Sequence, residues 1–127
     1  MRDEIVKIIQ SSVNAPSGSN SQPWRFEISG NKLTILALPE KDHPILNFRK
    51  RGTFMAHGAL IENILINTSG SGFSASLKIF PDNQNTNKTA TIEFAKSFPK
   101  EDPLSSFIIK RTTNRKPYKN DPLSSDQ

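Results

Sequence analysis

The chain has 127 residues, 17 Lys plus Arg against 12 Asp plus Glu for a formal charge of +5, and no cysteine, so disulfides, thiolate nucleophiles and cysteine-ligated metal sites are excluded. Its AVILMFWYC share is 34%. Even with glycine added this stays under the about 45–50% of an ordinary globular domain, so either the loops are long or further chain completes the core. No stretch reaches the about 18 apolar residues of a membrane span, and residues 1–10 mix charges where a secretory leader is basic and then apolar; a soluble cytoplasmic protein is the expectation.

Residues 3–13 carry Ile5, Val6, Ile8, Ile9 and Val13 at helical spacing, with Asp3 and Glu4 at the end where the helix dipole favours negative charge. Pro16 and Gly18 stop that helix, and a polar loop follows. Residues 24–28 and 32–38 read as a hairpin about the turn Ser29-Gly30-Asn31. Residues 39–47 form a charged, proline-bearing loop. Residues 51–68 give the strongest helix signal, with an apolar face broad enough for burial on more than one side; the Ser/Gly run at 69–72 ends it. Residues 73–80 and 90–94 read as a second hairpin, and residues 103–110 as a short helix with Pro103 in its first position. Residues 121–127 look like the cap and first turn of another helix, with Ser124 or Ser125 as the cap. The sequence stops before any apolar stripe, which reads as a C-terminal truncation.

Three segments could carry chemistry. In Ala15-Pro16-Ser17-Gly18-Ser19-Asn20-Ser21-Gln22-Pro23-Trp24-Arg25-Phe26, a loop dense in hydroxyls and amides drops into a strand. Such a loop can bond a polar ligand; by composition alone it is a capping turn with Trp24 as a core plug. In Asn47-Phe48-Arg49-Lys50-Arg51, consecutive cations at a helix start oppose the dipole unless they are solvated or paired with an anion. In Arg111-Thr112-Thr113-Asn114-Arg115, guanidinium forks flank hydroxyl and amide donors, a combination that suits phosphate; by composition alone it is an exposed basic linker. His43 and His57 have neither H-E-x-x-H spacing nor a third nitrogen ligand, so no metal is expected. No catalytic side chain is assigned, and no dinucleotide-fold or P-loop fingerprint occurs.

The first segment resembles the A-P-S-x-x-N-x-Q-P-W-x-F signature of the nitroreductase family of FMN-dependent oxidoreductases, over twelve consecutive residues. Gly58-Ala59-Leu60-Ile61-Glu62-Asn63 resembles the family's Gly-Ala-x-x-Glu-Asn helix, and the third segment its Arg-Arg-Ser-x-Arg-x-Phe phosphate motif, with one extra residue between the arginines. The order, with the arginines last, is similar to the first lobe of a two-lobed branch in which one long chain imitates the usual dimer. The resemblance extends over residues 5–118, so residues 1–121 are expected to form the first lobe and residues 122–127 to begin a second, absent one.

The resemblance implies a nitroreductase-like α+β fold, present in part: a mixed or antiparallel sheet packed with helices around a buried central one. It implies that Pro16, Ser17, Ser19, Asn20 and Gln22 contact the flavin ring and ribityl chain, that Asn47, Arg49 and Lys50 approach its polar edge, and that Arg111, Thr112 and Arg115 hold the phosphate. It implies electron transfer from NAD(P)H through FMN to a nitroaromatic, quinone or similar small-molecule acceptor, with a second lobe or a homodimer partner completing the site. A non-catalytic, FMN-sequestering role is the alternative. A nucleic-acid-binding module is a further one, disfavoured because the cations split between two short clusters and no nucleic-acid motif is present; neither nucleic acid nor membrane is an expected partner.

Overall fold

The computed structural model describes residues 1–118. The first amphipathic stretch is helix α1 (Arg2–Ser12), which buries Ile5, Ile8 and Ile9. After the polar loop, strands β1 (Trp24–Ser29) and β2 (Lys32–Ala37) pair antiparallel from Trp24↔Ala37 to Ser29↔Lys32. Gly30 turns the hairpin with φ +60, a conformation that costs glycine little. Helix α2 (Arg51–Gly70) follows, then strands β3 (Phe73–Ile79) and β4 (Lys88–Lys96) and the short helix α3 (Ser105–Ile108).

Some boundaries differ from the sequence expectation. Helix α2 continues through Ser69 and Gly70; the break comes at Gly72, where φ is +78. Strand β4 extends beyond residues 90–94 at both ends, because Lys88 pairs with Leu36 of β2 at one end and Ala95 and Lys96 pair with Ser74 and Phe73 of β3 at the other. Pro103 precedes α3 instead of opening it. The turn before α3 is held by Asp102, whose Oδ1 accepts the Leu104 N–H at 2.8 Å and whose carbonyl accepts the Ser105 N–H at 2.9 Å. The expected cap at Ser124 or Ser125, and the start of a second lobe, lie outside the described residues.

The sheet order is β1-β2-β4-β3 and every pairing is antiparallel. The two local hairpins are joined through β2 and β4, with Leu33 opposite Ile92. Strands β2 and β3 therefore run parallel on either side of β4, and α2 is the crossover between them. Alternation puts Leu33 and Ile35 of β2 on the same face as Ala90, Ile92 and Phe94 of β4, where they meet Ile5 and Ile8 of α1 and Leu60 and Ile64 of α2. Each such aliphatic side chain contributes about 1.5–3 kcal/mol by leaving water. Helix α2 also touches α1, β3 and α3, in accord with its broad apolar face. Among the described residues no helix is long and apolar enough to cross a membrane.

The ladder between β2 and β4 slips by one residue: Ile35 faces Ala90, but Leu36 faces Lys88. Thr89 is the extra residue of this bulge. A bulge re-aims a side chain, and here Thr89 is buried on the helix side although Ala90, its neighbour, is buried too.

Candidate functional site

Three segments converge at the start of α2. The polar loop leaves α1 at a point fixed from two directions. Asn63 Nδ2, on α2, donates to the Ser12 carbonyl at 3.1 Å, and Arg111 Nε donates to the Asn14 carbonyl at 2.9 Å. The Ser12 carbonyl also accepts the Ala15 N–H at 3.2 Å, so the chain just past the helix end is held by backbone and side-chain bonds together. The Arg111 bond also brings the arginine-bearing segment to the base of the loop.

Within the loop the residues divide into two sets. Ser17 and Ser21 turn inward: Ser17 Oγ accepts the Gln22 N–H at 2.9 Å, and the Ser21 hydroxyl donates to Asp42 Oδ1. Ser19, Asn20 and Gln22 are exposed, and each has a left-handed backbone, with φ of 50, 56 and 48. For residues with a Cβ this conformation costs about 1–2 kcal/mol each. The loop thus holds three polar side chains outward at a conformational cost, an arrangement that clusters where a chain meets a ligand.

The loop exit is held as firmly. The Pro23 carbonyl accepts from the Leu38 N–H at 2.9 Å and from His57 Nε2 at 2.8 Å. His57 lies on α2, buried and edge-on to Trp24 at 6.2 Å. A carbonyl can only accept, so Nε2 carries the hydrogen. In the neutral ring Nδ1 then accepts the Thr89 hydroxyl, 2.7 Å away, which spends the single hydrogen that would otherwise reach the Ile35 carbonyl at 3.1 Å. Burial pushes the His57 pKa down, opposed by the bond to Pro23 and by the charge of Asp42, so neutral imidazole is the form the fold favours. Trp24 is a core residue, and Phe26 packs against the core while partly buried.

Asn47, Arg49 and Lys50 take different parts. Asn47 Oδ1 accepts the Thr53 N–H at 3.0 Å, and its Nδ2 donates to the Thr53 hydroxyl at 2.8 Å. Asn47 therefore caps α2, whose first turn contains no acid. Arg49 and Lys50 have φ of 51 and 59. The Arg49 guanidinium sits 5.2 Å from the Phe48 ring centre, and Lys50 Nζ donates to Asn87 Oδ1 at 3.1 Å, toward the β3–β4 connection. Thr112 and Arg115 are exposed.

A groove of about 500 Å3 runs where these segments meet, lined by Pro16, Ser17, Met55, Ala56, Ala59 and Thr113 among others, within the range of small-molecule sites. A smaller cavity of about 30 Å3 adjoins it across Gly18 and Gly52 and touches Ser19, Asp42 and Asn47. The groove lining is mainly apolar, with Ser17 and Thr113 as its polar side chains. Asp42 was not legible as part of this site: it accepts hydroxyls from Ser21 and Thr53, and no short motif links positions so far apart.

No family model matches the chain. It is 25% identical over 113 residues to a Mycobacterium tuberculosis protein (strain H37Rv) named "Putative NAD(P)H nitroreductase", covering 87% of this chain and 33% of that one. It is 31% identical over 85 residues to an "Uncharacterized protein" of the same organism, covering 64% and 25%. The chain thus spans about a third or less of the length of these relatives. A solved structure, the "Putative NADH Oxidase" of Clostridium acetobutylicum, superposes with a TM-score of 0.61 at 18% identity, over 80% of each chain. That likeness establishes a shared α+β fold.

Proposed function

We propose that this chain, a distant relative of the NAD(P)H nitroreductases with a nitroreductase-like fold, supplies the flavin-gripping lobe of an FMN-dependent oxidoreductase. The observation that carries this reading is that the polar loop, through Pro16, Ser17 and Gly18, the start of α2 and Thr113 of the arginine-bearing segment line one groove, with Arg111 bonded to the base of the loop. Ser19, Asn20 and Gln22 would bond the polar edge and ribityl chain. Pro16, Met55, Ala56 and Ala59 would back the ring, Arg111 and Arg115 would neutralise the phosphate, and the Thr112 hydroxyl would donate to it. Bound FMN would supply the redox chemistry between NAD(P)H and a nitroaromatic, quinone or similar acceptor. The chain's own task is to bind and orient, and no side chain is assigned an acid or base role.

One side of the groove is open to a partner. Ile45, Leu46, Phe48 and Met55 are exposed by 80, 75, 62 and 77% around it. Clustered exposed apolar residues mark interaction surfaces, and the occupant in this reading is a second lobe or a second copy of the chain.

The test is titration of FMN into the protein, followed by flavin absorbance and fluorescence. Saturable binding is expected, with the Arg111→Ala, Arg115→Ala variant weaker by about tenfold or more, since a tenfold loss corresponds to about 1.4 kcal/mol and charge-assisted bonds reach that size. Equal affinity in the variant removes the phosphate assignment. Bound flavin with no NAD(P)H oxidation in the presence of a quinone selects the sequestering role over the catalytic one.

A further inference from the structure

Resting on the reading of residues 17–22 as the flavin-contacting loop, we propose that Asp42 is the positioning residue of this site. Asp42 is 8% exposed as a whole residue, and its carboxylate lies between the loop and the start of α2. The Ser21 hydroxyl donates to one oxygen, and the Thr53 hydroxyl donates to the other. Thr53 has a single hydroxyl hydrogen, so its lone pairs are free for Asn47 Nδ2, and Asn47 in turn accepts the Thr53 N–H. The chain of donors runs Asn47 to Thr53 to Asp42, and from the other side Ser21 to Asp42. One buried acceptor-only group thereby ties the loop, the residue 42–47 segment and the first turn of α2 into a single unit.

Ser21 is the point at which this unit grips the loop. Its own backbone is right-handed, with φ of −64, between the left-handed Asn20 and Gln22. Pulling the Ser21 side chain inward fixes the alternation that turns Asn20 and Gln22 out. The Asp42 carboxylate bonds the hydroxyls of Ser21 and Thr53 and none of the side chains of Ser19, Asn20 and Gln22, so it acts on the loop through Ser21. An asparagine at position 42 replaces it only in part: its amide oxygen can accept one of the two hydroxyls, the other hydroxyl must turn and accept from the amide nitrogen, and both bonds lose the carboxylate's charge.

The experiment is amide hydrogen exchange on the ligand-free protein, with FMN titration in parallel, for Ser21→Ala, Ser21→Thr and Asp42→Asn. Ser21→Ala removes only the grip on the loop and leaves the Thr53 bond in place, so it is the variant least disposed to unfold. Exchange of the 18–22 amides is expected to rise at least tenfold in Ser21→Ala and Asp42→Asn. It should return toward the parent value in Ser21→Thr, while α1 and the β2–β4 ladder stay protected. FMN affinity, and the absorption band shape of bound flavin, should follow the same order. Parent-like loop exchange in both Ser21→Ala and Asp42→Asn overturns the role given to Asp42, whether or not FMN binds. Loop exchange that responds in a protein that takes up no FMN keeps the grip of Asp42 on the loop and overturns the flavin reading instead.

Discussion

His57 has both ring nitrogens committed, one to a carbonyl that can only accept and one to a hydroxyl that can donate. Its lowered pKa has a definite consequence for stability. The ordinary histidine value is about 6.5; the folded value lies below it, chiefly because burial penalises the charged ring. As pH falls through about 6.5, the unfolded chain takes up a proton at His57 before the folded chain does, so stability decreases. It is full above that pH and declines toward the folded pKa. Asp42 is the charged group that favours the protonated ring and limits the effect. Urea denaturation between pH 8 and 5 should show this decline, and His57→Gln should be less stable at pH 8 but flatter over the range. An equally steep profile in His57→Gln would assign the acid sensitivity to other groups. That His57 is buried was legible from its place on an apolar helix. Its partners were not, because Thr89 reaches it only through a bulge, and a bulge leaves no trace in the alternation of a strand already rich in threonine.

Among the elements, α2 and the turn after it separate two uses of glycine. Gly72 has φ +78, and a Cβ there would lie 3.4 Å from Pro99 Cγ. Gly72→Ala is expected to cost about 1–2 kcal/mol, as a left-handed alanine does. Gly58 sits within α2, and a Cβ there would meet nothing within 4 Å. Gly58→Ala should therefore gain about 0.5–1 kcal/mol from the better helix former. Thermal melts of both variants check the signs; a stabilised Gly72→Ala would contradict the turn geometry. Elements of this kind were readable because periodicity and punctuation are local. The length of β4 was underestimated because its outer residues break the apolar alternation and enter the ladder through one neighbour each, Lys88 through β2 and Ala95 and Lys96 through β3. The candidate loop was legible for the same local reason, its residues being consecutive. The Asp42 hub spans positions 21, 42 and 53 and was not.

Taken as a whole, the molecule presents an apolar rim beside its groove. If a second copy or lobe covers that rim, charge placed there should weaken association and FMN uptake together while sparing the fold, since exposed substitutions usually change stability by within about 0.5 kcal/mol. Ile45→Asp with Leu46→Asp tests this: melting should be unchanged, sedimentation should shift toward the monomer, and flavin affinity should fall. Unaltered sedimentation and affinity would leave the rim without the assigned partner.

The pairing of β2 with β4 across the whole of α2 also bears on kinetics. Each hairpin can zip from its own turn, but the central seam, with Leu33 opposite Ile92, must wait until the intervening crossover has packed. Distant pairings of this sort slow folding. A ribosome-bound chain ending within α2 would therefore carry the inner edge of β2 unsealed, exposed to illegitimate strand addition until the last hairpin arrives.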